Sequence, residues 1–159
     1  MGNCCNNHTK YNNLSHIKTE DEYLKCILQH LSRVQNKIDL FSEKNKTSYQ
    51  LANMKHNNDD DWNEKYVSYE KEQFYITFGN VLLQMKMIME EYYMVKNYKS
   101  AEDGNGKDGN NSQFNFENKN FNADTAVSFM QELLECEEEK GDKSKLNFTR
   151  EEIVNKIFS

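Results

Sequence analysis

The residues with the most readable chemistry stand at the start of the chain, in Met-Gly-Asn-Cys-Cys-Asn. Removal of the initiator methionine would leave the α-amine of Gly2, a residue without a side chain, as N-myristoylation requires. Asn6 stands where that motif prefers Ser or Thr. Cys4 and Cys5 would lie at the bilayer surface beside the myristate. We therefore expect N-myristoylation of Gly2 and S-palmitoylation of one or both cysteines.

The energetics of lipid anchoring explain why a second signal is needed. One myristoyl chain gives only reversible membrane binding, with an association constant of about 10⁴ M⁻¹. A second acyl chain adds roughly 0.8 kcal/mol per buried CH₂. A basic patch could replace that chain, but residues 2–18 contain only Lys10 and Lys18 as Lys or Arg. We expect the cysteines to provide the second signal; the alternative is a tail with unmodified thiols.

Length and composition exclude several classes of protein. The 159 residues suit one domain, and no run approaches the ~20 apolar residues of a membrane span. The N-terminus lacks the apolar segment of a secretory signal. A net charge of -6 and a pI near 5.3 argue against nucleic-acid binding. Four cysteines without an export signal do not predict a disulfide framework.

Apolar spacing predicts an all-α fold, either a small helical bundle or a long antiparallel helical hairpin. The expected divisions are a flexible acylated tether over 1–18, two amphipathic helices at 20–44 and 62–99 within 19–99, a Gly/Asn-rich loop over 100–122, and a C-terminal helical pair over 123–159. Two capping-box patterns mark helix starts, one from Thr19 to Glu22 and one from Thr149 to Glu152.

The first predicted helix carries apolar residues at spacings of three, four and seven. Its stripe consists of Leu24, Leu28, Leu31, Ile38 and Phe41, widened by Ile27 and Val34. Arg33 is expected on the opposite, polar face. Because the spacing is close to 3.5, the stripe could also form a coiled-coil seam of three heptads.

The second predicted helix is the longest periodic segment. Residues 74–78 favour a strand by composition, but helical spacing continues on both sides, so a helix is preferred. Whether residues 114–121 pair as a strand is left open. Methionines indicate an adaptable packing surface. We expect Met85, Met89 and Tyr92 to form either ordinary core or a partner-binding seam.

The third predicted helix covers about 124–140, with Asp124 as N-cap and Gly141 just beyond its end. Residues 124–142 contain seven acids and one lysine, which equals the net charge of the whole chain. Glu137, Glu138 and Glu139 are the densest part of this segment. They form either a solvated face or a docking surface for a basic partner.

Catalytic and metal-binding patterns are weak. The chain has no nucleotide-binding glycine motif and no nucleophile–base pattern, so we expect neither enzyme activity nor a cofactor. Cys26 and Cys136 are interpreted as small core residues. A count from Asp59 to Glu70 resembles a calcium loop, but Glu64 stands where the loop needs glycine.

Two resemblances follow from these motifs. The Gly2, Cys4 and Cys5 pattern resembles acylated peripheral proteins of the apicomplexan pellicle and of other membranes that face the cytosol. Residues 35–99, with Lys37-Ile38-Asp39-Leu40, resemble the KxDL family. That resemblance implies paired long helices and a subunit of lysosome-positioning adaptor complexes.

The predicted function is that of a non-enzymatic adaptor or scaffold, bound to a membrane through its acyl chains and to proteins through its helices. The expected location is the cytoplasmic face of the plasma membrane, the pellicle or an endolysosome-like organelle. No nucleic acid or small-molecule substrate is expected. The alternative is a regulatory ligand-binding module, either a degenerate calcium sensor or a pleckstrin-homology-like acylated pellicle protein.

Overall fold

A computed structural model of the chain describes residues 13–45, 59–102, 116, 118–139 and 142–159. These residues form four α-helices, namely α1, Glu20–Asn45; α2, Asp59–Glu102; α3, Ala123–Glu138; and α4, Arg150–Ile157. Two 3-10 turns, Asn13–His16 and Lys143–Leu146, precede α1 and α4. The described residues contain no strand beyond one isolated antiparallel bridge between Phe121 and Phe158. The prediction of an all-α bundle is confirmed.

The capping box predicted for α1 is present. The backbone N–H of Glu22 donates to Thr19 Oγ1, and the backbone N–H of Thr19 donates to Glu22 Oε1, each at 3.2 Å. The backbone N–H of Lys18 also donates to Glu22 Oε1, at 2.7 Å, and this bond lowers the pKa of that carboxyl group. Three backbone N–H groups at the start of the helix, those of Lys18, Thr19 and Glu22, are therefore satisfied by side chains.

The core face of α1 is rotated from the predicted stripe. Tyr23, Ile27 and Val34 are fully buried, whereas Leu24 and Leu31 are only partly buried and Leu28 is 42% exposed. The prediction centred the apolar face on the leucines, and that centre is wrong. The face that includes Ile27 and Val34 is the one that packs on α2, so the leucines lie at its flank.

Helix α2 continues without interruption through residues 74–78, which settles the choice between strand and helix in favour of helix. Phe74, Tyr75 and Phe78 are buried there, and their ring centroids lie 5.3 to 6.4 Å apart. Phe78 follows Phe74 by four residues and Tyr75 by three, and both spacings bring side chains together on one side of a helix. Burial therefore outweighs the β-preference of the individual residues.

Helices α1 and α2 form an antiparallel pair. At one end the amino group of Lys96 lies 2.9 Å from the Glu20 carboxylate. In the middle, a Cβ added at Gly79 would lie 3.4 Å from Val34, so the glycine permits close approach of the two helices. At the other end Asn45 donates to Glu72 at 2.9 Å. Helix α2 therefore contacts α1 along most of the length of α1.

Helix α3 begins one residue after its cap, Asn122, and not at Asp124 as predicted. The Asn122 side chain accepts from the backbone N–H of Thr125 at 3.2 Å, and Asp124 lies within the first turn. Asn and Asp cap helices about equally well, so the sequence offered two candidates. The helix ends at Glu138, and Gly141 lies outside the described residues.

Helix α4 closes the bundle over α3. Its predicted capping box, Thr149 with Glu152, is confirmed, with bonds of 2.8 and 3.1 Å. After α4 the backbone pairs with the segment before α3, because Asn120 and Ser159 exchange two N–H···O bonds of 2.9 Å. This pairing fixes the chain end against the bundle although the last helix is only eight residues long.

Candidate anchor end and partner surfaces

Gly2, Cys4 and Cys5, the predicted acylation residues, lie outside the described residues. The chain is first described at the 3-10 turn Asn13–His16, where Leu14 and Ile17 are 2% and 3% exposed. The flexible tether predicted over 1–18 is therefore wrong for residues 14–17, and residues 1–12 lie outside the described part of the chain. Two apolar side chains attach this part of the chain to the bundle core.

The turn Asn13–His16 lies at the end of the bundle where α1 begins and α2 approaches its C-terminus. We call this the anchor end, defined by residues 13–23, 92–98, 116, 118–121 and 158–159. Tyr92 and Phe158 have ring centroids 4.5 Å apart, and Phe116 lies 5.3 to 5.4 Å from both. Tyr23 and Phe121 extend the cluster at 5.6 Å. Packing of these five rings holds together the end of the bundle at which the described chain begins.

The predicted seam of Met85, Met89 and Tyr92 is part of the core. Met85 and Met89 are 0% exposed and Tyr92 is 4% exposed. These side chains pack within the molecule, so they present no surface to a partner in this fold. Of the two interpretations left open by the sequence, ordinary core is the correct one. The other described methionines of α2, Met87 and Met94, are 50% and 70% exposed.

Glu137 belongs to an internal polar cluster rather than to an open acidic surface. Its carboxylate receives two bonds from the Arg33 guanidinium, at 2.7 and 2.9 Å, and one from the Tyr75 hydroxyl, at 2.8 Å. Its side chain is only 7% exposed. Burial and the neighbouring carboxylate raise the pKa of Tyr75, which stays a neutral donor. Arg33 was predicted to lie on the polar face of α1, and the local sequence around it does not indicate this cluster.

Glu138 and Glu139 are exposed at the end of α3. Two acidic side chains of the segment 124–142, one of them Glu139, lie near lysines from outside the segment. Lys145 lies 3.8 Å from Glu139, and Lys156 lies 3.4 Å from Glu132. Together with Arg33 on Glu137, these contacts offset much of the charge that the sequence concentrates over 124–142. The acidic surface is weaker than the sequence alone indicates.

The two described thiols are poor candidates for chemistry. Cys26 and Cys136 are buried and unbridged, as interpreted from the sequence. Burial raises the pKa of Cys26 to about 11 and also raises the pKa of Cys136. Cys136 borders a cavity of about 160 Å³ whose lining includes Glu132 and Glu139. A thiol kept neutral beside carboxylates is a weak nucleophile.

The calcium-loop count does not correspond to a loop. Asp59, Asp61, Asn63 and Glu70 all lie within α2, where a helical backbone cannot wrap its oxygens around one ion. No group of three His, Cys, Asp or Glu side chains converges as a metal site in the described part of the chain.

A second apolar stripe follows α2 on the side away from the core. It consists of Leu83, Met87, Met94 and Tyr98, which are 44% to 70% exposed. Glu90 lies between Met87 and Met94 and pairs with Lys86 at 3.1 Å. We call this set the outer stripe. Its spacing of three and four residues is visible in the sequence, but the stripe was not separated from the core stripe of the same helix.

Comparisons with protein-family models, curated proteins and solved structures find no match to this chain. Among the described residues, none of the helices is both long and apolar enough to cross a bilayer.

Proposed function

We propose that this protein is a peripheral membrane adaptor, held on a cytosol-facing membrane by a myristoyl group on Gly2 and by palmitate on Cys4, Cys5 or both. The observation that carries the proposal is the sequence Met-Gly-Asn-Cys-Cys at the start of the chain. Each of these residues has a separate chemical role in acylation. The helical body has the role of binding protein partners.

Membrane capture proceeds in two steps. Myristate first samples bilayers reversibly, because one such chain binds with only about 10⁴ M⁻¹. A membrane that contains an acyltransferase then adds palmitate to the adjacent thiols, and the second chain prevents release. The location of the transferase therefore selects the membrane. Removal of palmitate returns the protein to the sampling state.

The position of the anchor end supports an adaptor role. Ten residues lie between Gly2 and Asn13, so the bundle would lie at most about 40 Å from the lipid attachment. The 44 residues of α2 give a helix about 66 Å long that leads away from the anchor end. A bundle tethered at this end would present the rest of α2, including the outer stripe, to proteins near the membrane.

The other predicted functions have less support. A pleckstrin-homology-like sandwich needs sheets, whereas the described residues are helical. A calcium sensor needs a ligand loop at Asp59–Glu70, which is helix. Paired long helices are what the KxDL resemblance implies, and α1 and α2 do pair. Membership in that family and its organelle-positioning role stay predictions.

Metabolic labelling with alkyne analogues of myristate and palmitate tests the proposal. We expect the wild type to take up both labels, with only the palmitate label lost on hydroxylamine treatment. Gly2→Ala should lose both labels, because palmitoylation follows membrane sampling. Cys4→Ser with Cys5→Ser should keep myristate alone, and Cys136→Ser serves as a control with both labels. Wild-type protein without myristate would refute the proposal.

A further inference from the structure

The outer stripe of α2 has the residue pattern of a helix–helix interface. Alternating spacings of four and three residues connect Ile76, Asn80, Leu83, Met87, Glu90 and Met94. Such a spacing, close to 3.5, defines one seam of a coiled coil. The core stripe of α2 lies on another side of the helix, so the fold leaves this seam without a described partner helix.

A flank of α1 widens the seam into a two-helix face. Leu28 is 42% exposed, and it lies about 140° around α1 from Arg33, which contacts α3. Leu28 is therefore on the side of α1 away from α3. Val34 faces Gly79 and Asp21 accepts a bond from Tyr93 on the antiparallel helix, so Leu28 is at the level of the α2 turn that includes Met87.

The residue spacing and the charges of this face both match those of a second, antiparallel copy. The spacing of Leu83, Met87, Glu90 and Met94 is four, three and four, which reads the same in both directions. When two copies of α2 lie antiparallel, Leu83 therefore meets the partner's Met94, and Met87 meets the partner's Glu90. Lys86, now paired with Glu90 of its own helix, then lies within reach of the partner's Glu90 as well.

The size of the face also fits a second copy. From Ile76 to Tyr98 the seam is about 34 Å long, and two helices side by side are about 20 Å wide. The resulting area of about 700 Å² is near the ~800 Å² that each partner contributes to a standard interface. The seam is apolar apart from Asn80 and Glu90, and the two Lys86–Glu90 pairs around the axis would leave little uncompensated charge.

We infer that the protein forms a two-fold symmetric homodimer through the outer stripe, with the α2 helices antiparallel and with Lys86 and Glu90 of both copies around the axis. Dimerisation closes two helical hairpins into a four-helix arrangement. A dimer would also carry two acylated tails, which raises membrane avidity. The dimer itself does not depend on acylation, so it can fail or succeed independently of the proposed function.

The test uses the full-length chain made without a myristoyltransferase, with mass measured by light scattering up to about 100 μM. We expect a mass of twice 18.9 kDa for the wild type. Met87→Lys should give a monomer with unchanged helical circular dichroism. Leu40→Lys, a change at another exposed leucine on α1, should remain a dimer.

Charge exchange tests the antiparallel register. Lys86→Glu places a new carboxylate against the partner's Glu90, and Glu90→Lys places two lysines together, so each should weaken the homodimer about tenfold or more. Mixing the two variants restores both opposite-charge pairs and should give a heterodimer. The double variant should also dimerise. A wild-type monomer across this range would overturn the inference, as would single variants that dimerise like the wild type.

Discussion

Two apolar sides of the same helix, α2, contain the same residue types and have opposite fates. Met85 and Met89 on the core stripe are completely buried, whereas Met87 and Met94 on the outer stripe are 50% and 70% exposed. Helix α2 packs on α1, on the 3-10 turn Lys143–Leu146 and on α4, and its core-stripe side chains belong to the hydrophobic core. A long helix with two apolar sides can therefore build a fold with one and keep the other for association.

The different burial of the two stripes also shows which side of α2 is available for partner contacts. Met85, Met89 and Tyr92, which were predicted to form either core or a partner-binding seam, lie in the core of the bundle. The exposed apolar side chains on the other side of α2 have the better position for association. One apolar stripe must be buried in the core to stabilise the fold, and a second, exposed stripe is then available for association.

The largest expected difference between the stripes is in stability. Met85→Ala removes a completely buried side chain and should lower the free energy of unfolding by about 2 to 5 kcal/mol. Met87→Ala, the matched change on the outer stripe, should alter it by less than about 0.5 kcal/mol in the monomer. Urea denaturation at low protein concentration measures both. Equal losses in the two variants would contradict the assignment of the stripes.

The buried side of α2 also depends on a charge cluster. Arg33→Ala leaves the Glu137 carboxylate, 7% exposed, with Tyr75 as its remaining partner from this cluster. We expect a loss of about 2 to 3 kcal/mol, less than the 3 to 5 kcal/mol of a fully buried pair, because Arg33 is itself partly exposed. The double variant Arg33→Met with Glu137→Leu should recover part of the loss. No recovery in the double variant would show that these residues act independently.

A smaller and opposite effect is expected at Gly79, between the two stripes. Alanine favours a helix over glycine by about 0.8 to 1 kcal/mol. Its Cβ would lie 3.4 Å from Val34, at the limit of ordinary contact. We expect Gly79→Ala to raise the free energy of unfolding by about 0.5 kcal/mol, measured by thermal and urea unfolding. A clear loss would mean that α1 and α2 approach too closely for a methyl group.

The reactivity of the Cys26 thiol tests whether this side chain is buried in the core. Burial raises the pKa of Cys26 to about 11 from an ordinary value of 9.0. The fold therefore favours the neutral thiol. Its contribution to stability is complete below pH 9 and is lost as the pH rises toward 11. At pH 8 we expect iodoacetamide to modify Cys26 far more slowly in native than in urea-unfolded protein, by peptide mass spectrometry. Equal rates would contradict its burial.

Local patterns in the sequence predicted local structure well. The capping boxes at Thr19 and Thr149 involve residues three positions apart, and both are present. The limits of α1 and α2 fall within three residues of those predicted. The cap of α3 was misplaced from Asn122 to Asp124, because two adequate capping residues stand two positions apart.

Contacts between distant segments were not predictable from these patterns. Arg33 and Glu137 are 104 positions apart, so nothing in the local sequence of either residue indicates their pairing. The phase of the α1 core face depends on how α2 packs against it, and α2 itself offers two apolar sides. For Gly2, Cys4 and Cys5, the predicted acylation residues, the fold gives no guidance, because acylation motifs are recognised as short sequence rather than through the fold.

Flotation of cell membranes on a density gradient tests the central claim, dual acyl anchoring, most directly. The wild type should float with membranes, and Gly2→Ala should remain at the bottom of the gradient. Cys4→Ser with Cys5→Ser should remain mostly at the bottom, since one myristoyl chain binds only weakly. Cys136→Ser should float like the wild type. Equal flotation of the wild type and Gly2→Ala would contradict the account.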